Sequence, residues 1–448
     1  MVAASPGRVL RLAGSALVVL VAEPLYLLLD LAVVGRLGAA DLAALTVGAL
    51  VLSVVSTQLT FLSYGTTARS ARKFGAGDRA GAVAEGVQAS WIAVGVGLLI
   101  VVVMQLAGPA VLSALTGDDA LARSATGWLR IAVCGVPFIL LSMAGNGWMR
   151  GVQDTRRPIV FVSAGFAISA VLCPLLVHGL AGAPRLGLPG SGWANLIGQG
   201  IAGIAFVARV IRENAVAGGT SSIRPHRPMI IAQLRLGRDL IVRSLSFQVC
   251  FLSAAAVASR VGVAAVAAHQ TVLQVWNFLS LVLDSLAIAA QSLVGAALGA
   301  RVRIGDQAAR DATSIAMRVT RLSVALAVGL AVVLAAGHTV LPRIFTADNA
   351  VLDAIAVPWW FLVVMLPLAG VVFALDGVLL GGGDAAYLRT TTLGAALIGF
   401  LPLIWLSLIF SWGLVGIWSG LTAFMALRLI ALVARMRSGR WATIDLKT

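Results

Sequence analysis

Charge is what this 448-residue chain has least of: Asp, Glu, Lys and Arg make up 11%, against about 25% in a soluble globular domain. Hydrophobic residues reach 60% and the mean hydropathy is +0.98. A water-soluble fold has no interior large enough to hide that much apolar surface. Cysteine is nearly absent: Cys134, Cys173 and Cys250 are far apart and form no CxxC pair, which excludes a disulfide framework and a thiolate metal site. The four histidines (His178, His226, His269, His338) show no metal-ligand spacing. HExxH, a Gly-x-Ser-x-Gly elbow and a Walker-type loop are missing as well. An enzyme is therefore not expected, nor a cofactor or bound metal, and any transport must run on an ion gradient or on the substrate's own gradient.

Apolar segments of about 20 residues are abundant, the length that crosses a hydrocarbon core of roughly 30 Å as helix. Barrel strands would instead alternate apolar and polar residues in shorter runs. The pattern predicts an all-α polytopic membrane protein of about twelve spans, near 12–34, 42–67, 87–107, 126–149, 158–180, 188–210, 238–259, 266–297, 315–337, 355–380, 391–410 and 412–434. Turn chemistry separates them, as in Gly75-Ala76-Gly77-Asp78, Gly117-Asp118-Asp119 and Gly381-Gly382-Gly383-Asp384.

The formal net charge of +15 invites a nucleic-acid reading until the charges are located. Six basic residues (Arg36, Arg123, Arg130, Arg185, Arg260, Arg343) fall on one side of the predicted spans, leaving 27 of the 33 for the N-terminus, the even-to-odd loops, their flanking turns and the C-terminus. That is the positive-inside asymmetry, so both termini are expected in the cytoplasm and the protein in the plasma membrane. The basic residues face anionic lipid, and no aromatic-studded module suggests nucleic acid. The N-terminal run continues past Asp30 without a clear polar break and reads as an uncleaved first span.

The sequence also repeats itself. Pro137-x9-Gly147-x3-Gly151-x2-Asp154 recurs as Pro367-x9-Gly377-x3-Gly381-x2-Asp384, at an offset of 230 (367 − 137). Thr116 and Asp118 recur in the same frame as Thr346 and Asp348. Arg36-x-Gly38 recurs as Arg260-x-Gly262, at an offset of 224 (260 − 36). Such a period far exceeds the 20–50 residues of a solenoid unit and indicates a duplicated domain. The expected layout is an N-lobe over 1–212, a cytoplasmic linker over 213–237, a C-lobe over 238–436 and a cytoplasmic tail over 437–448. Six spans per copy bring both copies into the bilayer in one orientation, as parallel pseudo-symmetric lobes.

An ionisable group in hydrocarbon costs about 3 kcal/mol on insertion scales, so each such group needs a reason. Glu23 and Asp30 lie seven residues apart on one face of the first span, about 10 Å by helical rise. Asp284 falls in the eighth span and Asp376 in the tenth, with Asn146 and Asn195 among the polar neighbours. Each acid is read either as a coupling group, where a proton and a cationic substrate compete, or as a structural hydrogen-bonded acid.

These residues bring out a family resemblance. Asp30-x4-Gly35-x2-Gly38, Asn146-Gly147-x3-Gly151-x2-Asp154-Thr155 and Asp376-Gly377-x3-Gly381-x2-Asp384 resemble the multidrug and toxic compound extrusion (MATE) transporters, within them the DNA-damage-inducible protein F branch. The resemblance covers nearly the whole chain. It implies a V-shaped antiporter of two six-helix lobes, working as a monomer, that exports cationic or amphipathic small molecules in exchange for protons or sodium. Asp30 matches the family's first-helix coupling acid, and Asn146 a fourth-helix Asn beside the same cavity. Where that branch often has Asn-x3-Asp or Asn-x3-Glu in the fifth helix, this chain has Ser169 and Cys173. Sodium prefers hard oxygen ligands and a thiol is a soft donor, so protons are the expected coupling ion. The alternative is a flippase for lipid or a lipid-linked precursor, which should show a cleft lined with arginine; few arginines are expected in the spans. A non-transporting scaffold would need no intramembrane acids.

Overall fold

Helices stop where the turn residues predict. The computed structural model describes residues 5–216 and 223–444; Gly218-Gly219 and Ser221-Ser222 of the connector and the last four residues of the tail lie outside them. Twelve helices among the described residues are long and apolar enough to cross a membrane. They are α1 (Pro6–Gly35), α2 (Ala39–Ala76), α3 (Arg79–Thr116), α4 (Asp119–Gly151), α5 (Arg156–His178), α6 (Leu188–Val216), α7 (Arg227–Val261), α8 (Val263–Ile304), α9 (Gln307–Ala336), α10 (Asn349–Gly381), α11 (Ala385–Ile409) and α12 (Gly413–Arg437). Every expected span is present, and most extend beyond the apolar stretch at their ends. No strand occurs among the described residues.

Equivalent termini are built alike in the two copies. The Asp118 carboxylate accepts from the backbone N–H groups of Ala120 and Leu121, and Asp348 accepts from those of Ala350 and Val351, so each caps a helix N-terminus. Gly38 (φ 144°, ψ 170°) and Gly262 (φ 147°, ψ 167°) make the tight α1–α2 and α7–α8 turns, in a conformation open to glycine alone. Prolines act unequally. A 3₁₀ turn at Val133–Gly135 precedes Pro137 in α4, and a π turn at Ala396–Phe400 precedes Pro402 in α11, whereas α10 passes Pro358 and Pro367 unbroken. The missing N–H and the ring clash shift the hydrogen-bond ladder at such points.

The chain forms two units. One gathers α2 to α6 with α1 from Val18 onward and α7 up to Gly237; the other gathers α8 to α12 with α1 up to Leu17 and α7 from Arg238. In the first, Gly147 and Gly151 of α4 lie against the backbone of α2. A Cβ on Gly147 would stand 2.5 Å from the Ser63 carbonyl oxygen, and one on Gly151 would stand 2.9 Å from the Ala71 nitrogen. In the second, Gly377 meets Ala287 while Gly381 meets Gln291 and Gly295 of α8, with a Cβ on Gly381 standing 2.6 Å from the Gln291 carbonyl oxygen. Ser63 to Ala287 and Ala71 to Gly295 are both steps of 224. The doubled phrase is thus one helix-to-helix backbone contact made twice.

The end of the connector is tied to α3. The Gln88 side chain donates to the Arg224 carbonyl (3.1 Å) and accepts from the His226 N–H (2.8 Å), and the Trp91 indole donates to the Ile223 carbonyl (2.8 Å). One turn away, buried Glu85 accepts from Arg69 at 2.8 Å and from Gln233 at 2.7 Å.

Candidate functional site

Tyr26 and Asp30 sit one turn apart on α1, on the face directed into the first unit. Asp30 is 4% exposed. The Cys173 thiol of α5 donates to its Oδ1 at 3.2 Å, and the Ser191 hydroxyl of α6 stands beside the same carboxylate. Ser191 is held in turn by the Trp128 indole N–H at 3.2 Å. Ser169, one turn before Cys173, donates to the Ala194 carbonyl at 3.0 Å. Close α5–α6 contact makes this geometry possible: a Cβ on Gly165 would lie 2.8 Å from the Gly198 carbonyl oxygen. Asp30 is in no ion pair among the described residues. The Cys173 thiol that donates to it is neutral, and the Tyr26 hydroxyl nearby is buried without a hydrogen-bond partner.

Other sequence candidates fall less close together. Asn146 is buried on α4 with its Oδ1 unpartnered, and Asn195 is half-buried on α6; no hydrogen bond joins either to Asp30. Glu23 is exposed on α1, and Asp284 is half-buried on α8. Among the described residues no cluster of three or more His, Cys, Asp or Glu is arranged to hold a metal ion.

Asp376 lies in a different environment. Its Oδ2 accepts from Arg428 at 2.5 Å and from Arg243 at 2.7 Å. Arg428 is 2% exposed and its guanidinium lies over the rings of Phe247 (5.0 Å) and Phe424 (5.6 Å). The expectation that the spans hold few arginines fails at these two positions. Their signal is present in the sequence: Arg428 interrupts the apolar run from Phe424 to Val433, and Arg243 follows Leu240-Ile241-Val242. Counting them with the loop charges hid them. Ser191 and Trp128 carry no comparable signal, because their role arises only when α4, α5 and α6 pack.

Comparison with known proteins bears on the family and the fold. Residues 16–175 and 240–406 match the MatE family, one stretch in each copy. The chain is 30% identical to the probable multidrug resistance protein NorM of Bradyrhizobium diazoefficiens over 96% of this chain and 93% of that one. It is 29% identical to the DNA damage-inducible protein F of Escherichia coli K12, over 93% and 90%. A MATE crystal structure in the bent conformation superposes with a TM-score of 0.83 over 97% of this chain and 94% of that chain, at 20% identity, a likeness of fold. Twelve spanning helices, a duplicated frame and a family match lying across both copies make this multi-pass membrane protein a member of the MATE family of efflux transporters.

Proposed function

We propose that the protein is a proton-coupled antiporter of the plasma membrane, with both termini in the cytoplasm, that exports cationic or amphipathic small molecules and uses Asp30 as its coupling acid. The observation that carries this reading is a buried carboxyl group whose hydrogen-bond partner is a thiol, with a hydroxyl beside it. With no cation paired to it, Asp30 is free to exchange a proton or attract a cationic substrate. Sodium would need several hard oxygen ligands, and Cys173 offers sulfur where the family branch often has a carboxylate.

In the cycle, deprotonated Asp30 attracts the substrate from inside, and protonation from outside removes that charge and releases it. Antiport then rests on mutual exclusion, since a ligand with equal affinity for both states shifts nothing. The test is a proteoliposome assay with an imposed pH gradient and a fluorescent organic cation, comparing wild type with Asp30→Asn. The variant should lose gradient-driven movement, and undiminished movement would remove Asp30 from the mechanism. A sodium gradient without a pH gradient should drive nothing.

A further inference from the structure

We infer that the second unit holds a binding site for the carboxylate of an amphipathic small molecule, built from Arg243, Arg428 and Asp376. Two guanidinium groups meet one carboxylate there, both on Oδ2, so the three side chains carry one positive charge in excess. A structural ion pair would be complete with a single arginine, and a surplus charge among membrane-spanning helices is costly unless something meets it.

Hydrogen-bonding capacity is also left over. The Nε atoms of Arg243 and Arg428 are buried without an acceptor, and Oδ1 of Asp376 has no donor. A guanidinium edge presents parallel N–H groups that match the two oxygens of a carboxylate. Arg428 cannot swing away, because Phe247 and Phe424 flank it. Arg243 retains 17% of its side-chain exposure and forms the reachable side. Phe400 packs on Phe424 at 6.4 Å between centroids, so the surroundings are aromatic and suit an amphipath better than a hydrated inorganic ion. The shared frame does not supply the site: the positions equivalent to Arg243 and Asp376 in the first copy are Val19 (offset 224) and Asn146 (offset 230).

The inference gives the carboxylate-bearing members of the amphipathic class a place to bind in the second unit, and it rests on the export reading only in taking the bound compound as cargo. The experiment uses the full-length protein in phosphatidylcholine nanodiscs. Fluorescence anisotropy follows tetramethylrhodamine, which has a free carboxylate, and its methyl ester, which has none. Arg243→Gln should weaken the free acid about tenfold, as expected for one lost charge-assisted hydrogen bond, and should not weaken the cationic ester. Asp376→Asn removes the internal competitor and should tighten the free acid but not the ester. Equal binding of the free acid by wild type and both variants, each monodisperse on gel filtration, would overturn the site. If phosphatidylglycerol in the discs erased the difference between wild type and Arg243→Gln, the group bound would be a lipid headgroup and the small-molecule assignment would fall. Equilibrium binding needs no ion gradient, so a failure of Asp30 coupling and a failure of this site give separate results.

Discussion

Replacing Gly377 with alanine would drive a methyl group into the backbone of α8. The new Cβ would overlap the Ala287 carbonyl oxygen and lie 2.6 Å from its carbonyl carbon and 2.7 Å from its Cα, where ordinary contact is about 3.5–4 Å. A backbone cannot turn aside as a side-chain tip can, so the helices must part by ~1 Å, which forfeits a quarter to a half of each dispersion contact along the seam. Overpacking of this kind costs about 1–3 kcal/mol, and a clash with backbone belongs at the upper end. Gly329 of α9 is the control: a Cβ there has nothing within 4 Å, so Gly329→Ala should gain about 0.5–1 kcal/mol from reduced chain entropy. The two variants then differ by roughly 3 kcal/mol, which at ~2–4 °C per kcal/mol separates their melting midpoints by about 6–12 °C. Fluorescence-detected size exclusion after heating, in one detergent, measures this. Midpoints within about 2 °C of each other would refute the backbone-contact account, and Gly147→Ala should repeat the Gly377 result in the first unit.

Further expectations follow from other contacts. Cys173→Ser keeps a donor on Asp30 and should keep proton-driven transport, whereas Cys173→Val should lower it about tenfold or more, as the loss of one hydrogen bond to a charged group implies; the proteoliposome assay reads both. Asp118→Ala and Asp348→Ala each remove a helix N-cap with two backbone bonds and should cost about 0.5–2 kcal/mol each, in similar amounts, by reversible unfolding. Gln88→Ala releases the connector at Arg224 and His226, and proteinase K should then cut the Ile223–Arg224 bond several-fold faster, whereas an unchanged cleavage rate would mean that the Gln88 bonds do not hold the segment.

The spans were legible because crossing a bilayer demands length and apolarity, and both are written locally. The duplicated frame was legible for the same reason, as fixed offsets along one chain. What could not be read was which polar residues meet. Gly147 and Gly377 look like ordinary small-residue packing until their partners are known, and those partners, Ser63 and Ala287, share no side-chain chemistry because the contact is made by backbone. Cys173 was reached through the family resemblance, and the structure places its thiol on Asp30. Ser191 is one serine among many, and only the packing of α4, α5 and α6 joins it to Trp128. A rule that reads arginine near a helix end as topology misplaces Arg428, although apolar residues flank it on both sides.

Divergence between the copies follows from the same division between backbone and side chain. Caps, glycine turns and glycine seams are held in both units, since losing any one costs about 0.5–3 kcal/mol wherever it occurs. Polar positions inside a unit are constrained only by their own partners, so each copy is free to change them as a set. Asp30 has Ala254 as its equivalent at offset 224, fully buried, and Asn146 has Asp376 at offset 230. The buried acid of the first copy thus stands on its first helix and that of the second copy on its fourth, where Arg243 and Arg428 meet it, since a buried carboxylate and a buried guanidinium are each costly alone. An isolated Asp376→Ala would strand two arginines and should harm stability more than Asp30→Ala, whose neutral partner Cys173 loses only a hydrogen bond. Thermal melting of the two variants side by side decides this, and a larger loss for Asp30→Ala would show that the charge accounting is wrong.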